Sequence, residues 1–86
     1  MKQSPLRAPP ANRPLNLVID RTDLPSSLSY RLEIVSSSGR PIWSGIARVA
    51  DEAISAEAAA RFESGVYWVR LYSGDRLLRE FRLHIG

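Results

Sequence analysis

The chain reads most clearly as alternation. Leu15, Leu17 and Ile19 alternate with Asn16, Val18 and Asp20, which is the period of a strand with one apolar face. The next stretch carries Asp23, Pro25, Ser26 and Ser27, the chemistry of a loop. Tyr30, Leu32 and Ile34 then alternate with Arg31 and Glu33, giving a second strand. Ser36, Ser37, Ser38 and Gly39 form a turn, and 42–49 reads as a third strand in which Gly45 marks a bulge or a close approach. The pattern over 66–73 (Val, Tyr, Trp, Val, Arg, Leu, Tyr, Ser) is the strongest strand in the chain. It turns at Ser73, Gly74 and Asp75 into a last strand over 77–85.

The segment 50–62 supports two readings. Asp51 as a cap, Ile54, Ala58 and Phe62 at four-residue spacing, and a Glu57–Arg61 pair describe a helix. Ile54 and Ala56 alternating with Ser55 and Glu57 describe a strand. Strands on both sides favour a strand near 53–57 followed by one helical turn to Phe62. Short strands at regular spacing then predict an all-β fold, an immunoglobulin or fibronectin-III-like β-sandwich of about six or seven antiparallel strands.

The expected core is Leu15, Leu17, Ile19, Tyr30, Leu32, Ile34, Ile42, Ile54, Phe62, Tyr67, Val69, Leu71, Phe81, Leu83 and Ile85. Each contributes roughly 1.5–3 kcal/mol when fully buried. Tyr67 opens the strongest strand, where sandwich domains often use a tyrosine whose hydroxyl bonds back to nearby backbone.

Composition narrows the function more than it names it. Eighty-six residues make one domain with a small core. There is no cysteine and one histidine, His84, which excludes a disulfide framework, a thiolate zinc site and a cysteine nucleophile. No apolar run reaches the ~20 residues of a membrane helix, and no signal-peptide pattern follows Lys2. Twelve Lys and Arg against nine Asp and Glu leave +3. Residues 1–13 hold three of the bases and no acid, and four of the six prolines fall in the first fourteen residues. Residues 1–13 therefore read as a basic, proline-rich arm or linker, and 14–86 as a formally neutral body.

Chemistry-bearing residues are sparse. Ser44 and Ser73 lack a base, and His84 reads as a solvated strand residue. Asp20 with Asp23 would hold calcium weakly, and Asp51 with Glu52 would diverge on a strand. No cofactor or metal is expected, and the chain reads as non-enzymatic.

Strand parity instead points Trp68, Arg70 and Tyr72 away from the core, with Arg82 and His84 beside them and Trp43 joining from the third strand. Two tryptophans off the core need cover or a partner. Three readings follow: the arm or a neighbouring domain covers them, the patch is a protein interface, or it stacks on single-stranded nucleic acid or sugar. The neutral body argues against nucleic acid. A protein partner is expected, with self-association into a homodimer as the alternative.

The order of features from Leu6 to Gly86 carries a resemblance: Leu6-Arg7-Ala8-Pro9-Pro10, Tyr30-Arg31-Leu32, Gly39-Arg40-Pro41-Ile42-Trp43, Ser64-Gly65-Val66-Tyr67-Trp68-Val69-Arg70-Leu71 and Gly74-Asp75-Arg76-Leu77-Leu78-Arg79-Glu80-Phe81. It resembles the C-terminal extracytoplasmic immunoglobulin-like domain of acidobacterial-type zinc-finger anti-sigma factor proteins. The Gly-x-Tyr-x-x-x-Leu stretch is also similar to other bacterial β-sandwich modules, including flagellar-hook-capping and secretion-tail domains. The resemblance implies a non-catalytic sensor or contact module outside the membrane, periplasmic or extracytoplasmic. Those proteins carry a Cys/His zinc module and a membrane helix that this sequence lacks. It therefore implies an isolated outer domain or stand-alone relative, with no zinc-module grip on a sigma factor.

Overall fold

A computed structural model describes residues 12–20, 24 and 29–86. Residues 1–11 of the basic arm, and Asp23 of the weak calcium reading, lie outside the described residues. Six strands follow in order: β1 (Leu15–Asp20), β2 (Tyr30–Ser36), β3 (Pro41–Ala50), β4 (Ala53–Ala58), β5 (Gly65–Ser73) and β6 (Arg76–Ile85). All pairings are antiparallel, in the spatial order β1-β4-β3-β2-β5-β6.

The fold is all-β, but it is one strongly curled sheet, a half-barrel, and not the two-sheet sandwich the sequence suggested. The reason lies in β3. Its first part, through Ala47, pairs with β2, and its last three residues pair with β4. A single ten-residue strand thus passes from one half of the sheet to the other and keeps it continuous. β2 lies between β3 and β5, so the third strand does not lie beside the last two as an immunoglobulin order requires.

Within the 50–62 segment, Ala53–Ala58 forms a strand, and residues 59–62 belong to no element. β4 pairs with β1 along six residues, from Leu15 opposite Ala58 to Asp20 opposite Ala53. A helix there would leave the β1 backbone without that ladder. Asp51 does not cap a helix; it sits in the β3–β4 turn with φ 54°, a conformation that Asp tolerates better than most residues. The helical turn expected before Phe62 is also absent: residues 59–64 carry no helix. Gly39 (φ 88°) and Gly74 (φ 61°) supply the left-handed positions of the two tight turns, as expected.

Thirteen of the fifteen expected core residues are buried. Ile42 is 37% exposed, and Phe81 is half-buried against the core's rim. Val35, Ala47 and Ala58 are buried in addition. Phe62 closes one end of the curl. It is fully buried, meets Tyr67 edge to face at 5.6 Å, and its carbonyl accepts the Asn12 N–H at 2.9 Å. The Tyr67 hydroxyl donates to the Glu63 carbonyl at 2.8 Å, the backbone bond expected of a tyrosine at that corner.

Candidate functional site

The convex side of β2, β5 and β6 carries the expected patch, with one member moved away. Directly opposed residues in an antiparallel pair share a face, so the register reads as rows. Trp68 stands between Arg82 on β6 and Val35 on β2, and Val35 opposes Pro41 on β3. Arg70 stands between Glu80 and Glu33. Tyr72 stands between Leu77 and Arg31, and Arg31 opposes Ile46. His84 opposes Val66 at the far end. Trp68, Arg70, Tyr72, Arg82 and His84 therefore occupy one surface.

Trp43 does not join them. It opposes Ile34 in the ladder and packs against the core, on the face opposite Trp68. A bulge reverses the expected parity: Ile34 opposes Trp43, but Val35 opposes Pro41, so β3 carries one extra residue at that point. Ile42 is therefore the residue left outside, and the indole lies along the inner face over Gly45.

The polar members of the surface hold one another. The Arg70 Nε donates to Glu80 Oε2 at 2.8 Å. This bond is the main cause of an Arg70 pKa raised above the ordinary arginine value. The Arg31 guanidinium lies 4.3 Å from the centroid of the Tyr72 ring, and the Tyr72 hydroxyl donates to Glu33 Oε1 at 3.2 Å. Arg82 and His84 are exposed, and among the described residues neither forms an ion pair. Trp68 is half-buried, while Val35, on the same face, is only 1% exposed.

Arg31, Glu33, Val35 and Glu80 belong to this surface and were missed as site residues. Arg31 and Glu33 were legible as outward positions of the second strand, but their partners depend on β2 lying beside β5.

A second surface lies on the outer side of β1, β4 and the end of β3. It is an open groove lined by Asn16, Val18, Ile46, Arg48, Ser55 and Glu57, in which Val18 is 60% and Ile46 70% exposed. Ser44 opposes Glu33 on β3, Ser73 lies at the end of β5, and His84 lies near the end of β6, so the register does not place the histidine opposite either serine. Among the described residues no three His, Cys, Asp or Glu side chains cluster as metal ligands, and no helix is long and apolar enough to cross a membrane.

No protein family, curated protein or solved structure matches this chain.

Proposed function

We propose that this domain is a non-enzymatic interaction or sensor module that binds a protein partner through the outer face of β2, β5 and β6. The observation that carries the reading is Trp68: a half-buried indole on the convex side of a single curled sheet, bordered by Arg82, Arg70 and Tyr72. Trp, Tyr and Arg are the residues that most often anchor protein interfaces. The surrounding pairs, Arg70–Glu80 and Arg31–Tyr72–Glu33, fix the side chains before a partner arrives, which reduces the ordering cost of association. The interleaved signs, Arg82, Glu80, Arg70, Glu33 and Arg31, suit a protein surface better than a phosphate backbone, which favours an unbroken basic track. The resemblance to anti-sigma outer domains supplies a setting: a contact module on the extracytoplasmic side, its partner another envelope protein.

The test is capture from an envelope extract with three baits: the wild-type domain, Trp68→Ala, and Val18→Ser in the second groove. A protein retained by wild type and by Val18→Ser, and lost by a folded Trp68→Ala, is the expected result. Equal retention by all three baits would remove the assignment of this face.

A further inference from the structure

The geometry points to a second copy of this chain as the occupant of the free edge of β6, joined as an antiparallel β6–β6 pair in one defined register. β6 is ten residues long and, among the described residues, pairs only with β5. Such an edge offers backbone donors and acceptors to another strand, apart from the Leu78 carbonyl, which accepts from the Arg79 guanidinium at 2.8 Å. The other end strand, β1, is six residues long and carries a single charge, Asp20, so its side chains select no register.

The side chains of β6 do select one. In an antiparallel pair the directly opposed residues share a face, so two half-barrels keep their apolar and polar sides continuous only when like faces meet. A two-fold axis then passes through one residue and its copy. With the axis at Glu80, that carboxylate faces itself. With the axis at Arg82, that guanidinium faces itself. Like charges directly opposed destabilise a pair. With the axis at Phe81, each Glu80 faces the other copy's Arg82, twice, on the outer side. On the inner side the two Phe81 rings meet at the rim of the two cores, where Phe81 is half-buried in the single chain. Of the registers centred on Glu80, Phe81 and Arg82, charge complementarity and the aromatic pair both favour the one centred on Phe81, in which like faces meet from Arg79 to Leu83; beyond that span the extra β6 residue at Leu78 breaks the alternation. Arg82, which has no ion pair within the chain among the described residues, gains one.

The pairing leaves Trp68 uncovered and sets two copies of its face side by side on one extended sheet. It stands whether or not that face binds a further partner.

Sedimentation of the full chain tests it. The wild type should sediment as a dimer at high micromolar concentration and dissociate on dilution. Glu80→Arg sets Arg against Arg82, and Arg82→Glu sets Glu against Glu80, so each variant alone should be monomeric. Mixed together they oppose Arg to Glu at both positions, and a heterodimer should form. Far-ultraviolet circular dichroism confirms that each variant is folded. A wild type that stays monomeric at every concentration overturns the proposal. So does a dimer that survives either single reversal, or a mixture of folded variants that fails to associate. Trp68→Ala should still dimerise, so a failed capture experiment and a failed edge pairing are separate results.

Discussion

The Trp43 indole lies so close over Gly45 that a Cβ added there would stand 2.7 Å from Cζ2 and 2.9 Å from Cη2. The two residues point to the same face of β3, and the ring uses the space that a side chain would take. Gly45→Ala should therefore destabilise the domain by roughly 1–3 kcal/mol, the usual cost of overpacking. In a Trp43→Ala background the same substitution should be neutral or stabilising, because the collision is gone and alanine lowers the entropy of the unfolded chain. A double-mutant cycle by urea denaturation measures this coupling, and additive effects would contradict the contact.

The two tryptophans should separate by stability. Trp43 packs against the core cluster, whereas Trp68 lies on the outer face with only its row neighbours for support. Full truncation of a buried Trp costs about 3–5 kcal/mol, so half-buried Trp43→Ala should cost roughly 2–3 and Trp68→Ala roughly 1–2. Equal midpoint shifts in urea would contradict the assignment of the two residues to opposite faces.

These residues also show how far alternation carries. In β1 and the first five residues of β2 the apolar and polar residues largely alternate, and Leu15, Leu17, Ile19, Tyr30, Leu32 and Ile34 follow from the sequence; in β5 most residues are apolar or aromatic, and only parity singles out Tyr67, Val69 and Leu71. In β3, Pro41, Ile42, Trp43 and Ile46 are all apolar or neutral, so no contrast marks the inner face, and a bulge opposite Val35 resets the parity. The β5–β6 hairpin holds a second bulge. Counting back from Ser73 opposite Arg76 would set Arg70 against Arg79, two like charges. The extra residue on β6 between Tyr72–Leu77 and Leu71–Arg79 moves the register by one and sets Arg70 against Glu80 instead. The hairpin neighbours β2–β3 and β5–β6 were legible from their turns, but the rest of the strand order was not, because local alternation says nothing about which distant strand becomes a neighbour. Half-barrel and sandwich share the same periodicity, and what separates them is a single long strand shared between two partners.

The Arg70–Glu80 bond organises the face without holding the fold. Both side chains are about a third or more exposed, at 33% and 39%, and pairs of that kind add little to stability. At a concentration where the chain is monomeric, Glu80→Gln should leave the urea midpoint unchanged. Because the folded pKa of Arg70 is raised, its contribution is fully present below the ordinary arginine value and is lost only as pH rises through the higher folded value. Stability followed from about pH 7 to about pH 10 should therefore show no transition that Glu80→Gln abolishes. A midpoint shift on Glu80→Gln at neutral pH would mean the pair carries structural weight.

The Phe62–Tyr67 corner is where the chain between β4 and β5 is tied to the core. Phe62 is 1% exposed and meets Tyr67 edge to face, and the Tyr67 hydroxyl reaches back four residues to the Glu63 carbonyl. Residues 59–64 make no ladder of their own, so these contacts, with the Asn12–Phe62 bond, hold that segment against the open end of the curl. Tyr67→Phe removes one hydrogen bond and keeps the ring, and should cost about 1 kcal/mol. Phe62→Ala opens a cavity under the segment and should cost about 3–5 kcal/mol. Native-state hydrogen exchange discriminates further. Tyr67→Phe should accelerate exchange in 59–64 selectively, because local opening of that segment becomes easier while the β2–β5 ladder is untouched. Uniform acceleration across all six strands would mean the hydroxyl bond stabilises the whole sheet rather than its corner.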